Sequence, residues 1–314
     1  MVKLGLDLTI WPWEYRSFEE IAELAHLAEE YGLDSLWMSD HLMYTTPDKG
    51  SLDAFTALAA VAAKTRNITL GTKVVCAPFR HPGLLAKMGA TLDVISGGRF
   101  VLGIGAGWYR REFEAFGFPF EKRVERLREV VEIVKMFWTQ PVANYEGKFH
   151  RISEAESLPK PLQKPHPPIW IGSEGPRMLR LTAELGDGWI TTGQSVERYR
   201  SKWDWIKQHA RKMGRNPGDI EAAYYAYASL AASSEKAWKY AEGLILPERR
   251  RALGPSLSLS DLRDICIVGD PDEWISRIEE YVAAGAEHII VKIVPLGHDS
   301  LRLYGERVIQ HFQR

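Results

Sequence analysis

Asp40 and His41 stand side by side directly after the apolar run Asp34–Ser39, so a carboxylate and an imidazole arrive together where a strand ends. Histidine titrates near neutrality and can relay the proton that accompanies hydride transfer. A neighbouring carboxylate can fix a ring tautomer or hold a cofactor edge. On position alone a plainer role stays open, with His41 capping a loop and Asp40 capping the segment behind it. A second feature is residues 97–108, where a buried-strand pattern runs into Gly103, Gly105 and Gly107. Glycine reaches positive φ without steric penalty and lets amide N–H groups converge on an anion. The even spacing is not Gly-x-Gly-x-x-Gly, and no ribose-binding acid completes a dinucleotide fingerprint. Ile169-Trp-Ile-Gly172-Ser173-Glu174-Gly175-Pro176 forms a third feature, a strand ending in small residues before a proline-led helix. Proline in the first turn leaves the remaining N–H groups able to meet a phosphate, although a plain tight turn has the same residues. Trp11, Trp13, Trp37, Trp108, Tyr109, Trp170 and Trp189 cluster near strand ends and could wall a planar ring, or serve as ordinary core and rim.

Short β-type runs alternate with amphipathic helical runs along the whole chain. Strands are expected at 4–9, 34–39, 68–75, 100–105, 169–172, 189–192, 221–228 and 288–294. Helices are expected at 17–31, 53–65, 82–95, 123–137, 176–185, 196–213, 271–284 and 300–312. Eight such units predict a single (β/α)8 TIM-barrel domain over 1–314, whose ligands meet the loops at the C-terminal strand ends. Three stretches interrupt the rhythm: 107–121 after strand four, 139–167 before strand five and 229–264 after strand seven. The second contains Asn144-Tyr-Glu-Gly147-Lys-Phe, a hairpin turn. The third carries Glu248-Arg249-Arg250-Arg251, which reads as a solvated helix face. His81, before Pro82, reads as a residue at a helix start.

Charge and composition narrow the functions. A formal net charge of −1 with 26% charged residues gives no reason to expect nucleic acid or an anionic membrane as partner. Cys76 and Cys266 stand far apart, without CxxC or histidine partners, so neither a disulfide framework nor a zinc site is expected. The longest apolar runs, such as 57–63, are too short to span a bilayer, and a reducing, cytoplasmic setting is the expectation. No HExxH helix, Walker loop, EF-hand loop or Ser-His-Asp order is present, so no metal is expected and redox chemistry with an organic cofactor remains.

Ser39-Asp40-His41-Leu42, Arg80-His81-Pro82, Ala90-Thr91-Leu92-Asp93 through Arg99, Gly103-Ile-Gly105-Ala-Gly107-Trp108, Pro165-His-Pro-Pro168-Ile-Trp-Ile-Gly172 and Gly186-Asp187-Gly188-Trp189 together resemble the bacterial-luciferase-like flavin and deazaflavin oxidoreductases. Within that family the length and the Ser-Asp-His and Gly-Ala-Gly-Trp forms are most similar to the branch using coenzyme F420. The resemblance implies that Asp40 contacts the deazaflavin ring and that His41 transfers a proton to or from the substrate. It implies a non-proline cis peptide at Val74-Val75, with Val74, Val75 and Cys76 backing the ring. Gly105, Ala106, Gly107, Trp108 and Arg111 are implied to hold the phosphate and side chain, together with Gly172, Ser173 and Glu174. The expected substrate pocket comprises Trp11, Trp13, Tyr44, Trp108, Thr192 and Gln194.

Departures bear on substrate. Sugar-phosphate dehydrogenases of the family carry glutamate where this chain has Trp108. They carry lysine shortly after the strand that here ends Thr191-Thr192-Gly193-Gln194, and tryptophan in the region of Tyr44 and Thr45. Sugar-phosphate oxidation is therefore not expected, and a small alcohol, ketone or activated alkene fits better. The alternatives are an FMN-dependent monooxygenase using oxygen and a partner flavin reductase, and a non-catalytic flavin-binding protein. A homodimer, with the small-residue face 57–63 allowing close approach, is expected.

Overall fold

The computed structural model describes residues 1–9, 17–44 and 50–313, so Trp11, Trp13 and Thr45 lie outside the described residues. Eight strands form the barrel: β1 (Lys3–Asp7), β2 (Ser35–Met38), β3 (Thr69–Thr72), β4 (Phe100–Gly105), β5 (Ile169–Gly172), β6 (Gly188–Thr192), β7 (Glu221–Leu230) and β8 (His288–Ile293). Each pairs in parallel with its successor, and Lys3 opposite His288 joins β8 back to β1. All eight C-terminal ends therefore open on one rim.

Alternate strand residues face the helices or the lumen. On β1, Leu4 and Leu6 join the core beneath α1 (Phe18–Glu30), which presents Ile21, Leu24, Ala25 and Ala28. Burial of Ile21 and Leu24 contributes roughly 1.5–3 kcal/mol each. Capping side chains fix the helix starts. Asp53 accepts from Thr56 N ahead of α2 (Ala54–Ala62), and His81 Nδ1 accepts from Gly83 N ahead of α3 (Pro82–Ser96). α3 stops at Gly97, whose φ of 71° suits a residue without a side chain.

Trp37 and Trp170 meet in the lower lumen with centroids 4.9 Å apart. Their rings occupy the space a Cβ would need at Gly71 and Gly188. Below them Ser35 Oγ and His288 Nε2 lie 2.7 Å apart, and His288 Nδ1 reaches Glu221 at 3.2 Å. With the floor filled, ligands approach from the C-terminal rim.

Four departures from expectation follow from local geometry. β3 ends at Thr72, not Val75, because the chain bulges there. Lys73 N donates to Met38 O, and pairing with β4 resumes at Val75 opposite Ile104. The non-proline cis peptide lies between Lys73 and Val74, one residue before the expected Val74-Val75 position. The 107–121 stretch contains a short helix, α4 (Arg110–Ala115). The 229–264 stretch is mostly helical, with Ser234–Tyr240, Leu246–Leu253 and Leu259–Ile265, and is followed by the strand Ile267–Gly269 beside the end of β7. The expected hairpin forms from Val142–Glu146 and Arg151–Glu156. Glu129 ties it down by accepting from Lys148, Phe149 and His150 N–H groups.

Candidate active site

β2 delivers Asp40 and His41 to the rim. Asp40 is almost fully buried and accepts two bonds from Arg80, at 2.6 and 2.9 Å, while Arg80 also reaches Asp53 at 2.7 Å. Burial alone would lower the Arg80 pKa, but its bonds to Asp40 and the charges of Asp40 and Asp53 raise it overall. The Asp40 carboxylate is thus held by a bidentate fork, the most directional of side-chain ion pairs. Any cofactor contact made by Asp40 uses its remaining acceptor capacity or its backbone.

His41 is held by a residue that sequence reasoning missed. Glu112, on α4, is 2% exposed. Its Oε2 lies 3.1 Å from His41 Nδ1, and its Oε1 accepts from Leu42 N at 2.6 Å and Met43 N at 3.1 Å. Facing a carboxylate oxygen, Nδ1 must carry the hydrogen, which leaves Nε2 as the ring atom that gains or loses a proton. Trp108 and Tyr44 close around the imidazole edge-on, with centroids 6.2 and 5.0 Å away.

The bulge after β3 turns Val74 inward, towards the ends of β4 and β5. Its methyl groups sit 2.9 Å from an ideal Cβ at Gly105 and 3.0 Å from one at Gly172, so both positions need glycine for Val74 to lie there. Gly107 has φ of 78°, and a Cβ there would come within 2.5 Å of Phe113 and 2.6 Å of Cys76 Sγ. Beyond these glycines the loops after β4 and β5 leave backbone N–H groups open. Those of Gly107, Trp108, Glu174 and Gly175 have no hydrogen-bond partner among the described residues. Two adjacent strand ends therefore present unpaired amides, the arrangement that accommodates an anionic tail.

The opposite side of the rim is charged. Asp7, at the end of β1, is buried and accepts from Thr9 N at 2.8 Å and from the Tyr225 hydroxyl at 2.9 Å, and Lys73 Nζ stands 3.2 Å away. Burial would raise the Asp7 pKa, but Lys73 and Lys292 lower it. Lys73 also rides 3.6 Å above the Tyr225 ring, and its own pKa is lowered, first by burial. Tyr227 donates to Glu248 at 2.7 Å, and the Arg249 guanidinium lies 4.6 Å from the Tyr227 ring. The expectation of a solvated face over 248–251 is corrected here. The helix Leu246–Leu253 turns Leu246, Glu248 and Arg249 onto the barrel end, while Arg250 and Arg251 face outward.

The other expected site residues divide by position. Trp108 is half exposed at the rim. Tyr44 lies beside Tyr227, and burial, with the Glu248 charge nearby, pushes its phenol pKa up. The Ser173 hydroxyl is turned to Thr182 at 3.0 Å, so the loop's approach to a ligand is through backbone. Cys76 packs among Phe79 and Phe113, and burial pushes its thiol pKa up. Ala106 packs into the main core, and Arg111 and Glu174 are exposed. Thr192 ends β6 at the rim, where its carbonyl accepts from Gln194, whose side-chain oxygen in turn takes a bond from Lys202 at 2.7 Å.

A parallel barrel whose C-terminal rim carries an imidazole held by a buried carboxylate, glycines packed close on their neighbours, and open amides defines a barrel enzyme with the groups an anion-bearing ligand needs. Residues 7–288 match the family described as luciferase-like monooxygenase, and the chain belongs to that family. It is 32% identical to an F420-dependent glucose-6-phosphate dehydrogenase from Nakamurella multipartita, over 92% of this chain and 91% of that protein. The solved structure of the coenzyme F420-dependent tetrahydromethanopterin reductase from Methanopyrus kandleri is 25% identical, with a TM-score of 0.83 and 99% of each chain covered. That of the monooxygenase RslO1 from Streptomyces bottropensis is 29% identical, with a TM-score of 0.85 and 99% of each chain covered.

Proposed function

We propose that this chain is an F420-dependent oxidoreductase that moves a hydride between the deazaflavin and a small organic substrate, with His41 as the acid or base. The observation that carries the reading is the His41–Glu112 pair at the same barrel rim where Val74 packs on Gly105 and Gly172. The residues present fit the group. The three share a side where any Cβ on either glycine would collide with Val74, and the unpaired amides after β4 and β5 suit its phosphate. When bound, the deazaflavin supplies the carbon that accepts or donates the hydride. Val74 would back its ring, and Gly107, Trp108, Glu174 and Gly175 would hold the tail through N–H groups. His41 Nε2 gives or takes the proton at the substrate oxygen, and Glu112 keeps the imidazole in the tautomer that leaves Nε2 able to do so. Trp108 and Tyr44 restrict water around the imidazole. General acid–base catalysis of this kind contributes on the order of 10²–10⁴ in rate.

The monooxygenase reading is favoured by the likeness to RslO1. Parallel titrations decide between the two. Oxidised F420 should quench tryptophan fluorescence with a dissociation constant of about micromolar, near −8 kcal/mol. Reduced FMN should bind more weakly and drive no oxygen uptake. Tighter FMN binding with oxygen consumption reverses the assignment, and unchanged spectra at tens of micromolar F420 refute it.

A further inference from the structure

We propose that Arg249 is an oxyanion subsite for the substrate: the molecule this rim accepts carries a carboxylate or phosphate that docks on the Arg249 guanidinium. The inference rests on reading the rim as the cofactor and substrate site, and it deepens that reading by naming the substrate's charge. Arg249 is 6% exposed, and its Nε has no hydrogen-bond partner. Among the described residues no carboxylate comes within 4.0 Å of it, although Glu248 is its neighbour in the chain; that carboxylate is turned to the Tyr227 hydroxyl. The guanidinium is packed instead against the face of Tyr227 and against Gly193, where a Cβ would come within 3.0 Å of Nη2. A planar fork of N–H donors, permanently charged, buried and with no carboxylate in salt-bridge contact, leaves a donor that a ligand oxyanion can satisfy.

The surroundings favour an anion. Lys73 lies over Tyr225, and Lys292 Nζ is 5.5 Å from the Tyr227 centroid, so with Arg249 three cations gather at this pair of rings. Among the described residues the buried carboxylates at these rings are Asp7 and Glu248, the first bonded to Tyr225 and the second to Tyr227. At the margin Glu174 lies within reach of the charges of both Lys202 and Arg249, which oppose the burial that raises its pKa. The subsite adjoins the acid–base group through contacts in series: His41 to Tyr44 at 5.0 Å, Tyr44 to Tyr227, and Tyr227 to Arg249. The helix that carries Arg249 follows β7, whereas the open amides follow β4 and β5.

Benzoate and inorganic phosphate serve as probes, titrated calorimetrically at constant ionic strength into the protein alone and into protein saturated with F420. The wild type should bind at least one of them saturably in both states, whereas methyl benzoate should not compete. Arg249→Met should weaken that binding by about tenfold or more, with Arg249→Lys intermediate. The F420 dissociation constant should stay within about twofold in both variants, since the tail is held elsewhere. Circular dichroism checks folding, and Arg249→Lys carries the test should the methionine variant not fold. No saturable anion binding, or binding indifferent to both substitutions, overturns the proposal. Displacement of the probe by F420 assigns the guanidinium to the cofactor and overturns it equally. Absence of F420 binding refutes the cofactor assignment and leaves the anion titration of the protein alone to be judged separately.

Discussion

Replacing Glu112 with glutamine tests how the acid–base group is prepared. The glutamine oxygen can still accept from Leu42 N and Met43 N, which the native carboxylate holds at 2.6 and 3.1 Å. Its NH2 group then faces His41 Nδ1 in place of the oxygen that stood 3.1 Å away. Two donors cannot share one hydrogen bond, so the imidazole must move its hydrogen to Nε2 or turn. A hydrogen bond to a charged partner is worth about 1.5–3 kcal/mol, which sets the native preference for the Nδ1–H tautomer at roughly ten- to hundredfold. Long-range 15N NMR of histidine-labelled protein reads the two ring nitrogens separately. The wild type should show a protonated Nδ1 and a bare Nε2 at His41 at high pH, and Glu112→Gln should reverse them. Turnover should fall by about 10²-fold or more, because the atom facing the substrate has become a donor. Glu112→Ala is the structural control. It strands two backbone N–H groups and should lose about 1–3 kcal/mol of stability for each that stays buried, a loss the glutamine variant avoids. An unchanged His41 spectrum in Glu112→Gln, or full activity with a reversed tautomer, refutes the reasoning.

Other consequences are more direct. His41→Ala should lower turnover by about 10²-fold or more while leaving the F420 dissociation constant within a few-fold; a variant with native turnover removes His41 from the chemistry. Gly107→Ala puts a Cβ within 2.5 Å of Phe113 at a φ of 78°, so it should destabilise the fold by about 1–3 kcal/mol and weaken F420 binding, as thermal melts and titration would show. Glu184 provides a pH test. Burial alone would raise its carboxyl pKa, but hydrogen bonds from Arg180 and Arg128 outweigh that and hold it at about 2, against an ordinary 4.5. With the folded pKa depressed, its contribution is complete above 4.5 and is lost as pH falls towards 2. Glu184→Gln should therefore lower stability at neutral pH and flatten its acid dependence over that window, measured by urea unfolding at a series of pH values.

The barrel was legible because each strand and helix carries its own period. β4 and β5 and the helix Pro176–Leu185 have the bounds that the apolar runs, Gly105 and Pro176 indicate. Many of the motif residues that carry the family likeness turn out to hold the scaffold. Asp93 accepts from Leu162 and Gln163 N–H groups, Asp187 from Ile169 N, and Arg99 donates to carbonyls at Ala62, Thr65 and Ile68. Glu112 was not legible as a partner of His41, for the two are 71 residues apart and only the folding of the post-β4 loop over the post-β2 loop joins them. Its one local signal is an acidic residue in the first turn of α4. The burial of Arg249 is not legible in the sequence for a related reason. In an eight-residue helix rich in arginine the pattern does not tell which side meets the barrel, and the decisive partner, Tyr227, is on another element. The cis peptide lies one residue before the position the resemblance implies, within the gap where pairing with β4 is interrupted between Gly71 and Val75.

A crystal structure with oxidised F420 bound tests the central claim most directly. The account predicts the deazaflavin ring against Val74 with the His41 imidazole facing it, and the tail's phosphate on the amides after β4 and β5. A ring bound away from Val74, or an imidazole turned from it, contradicts the account.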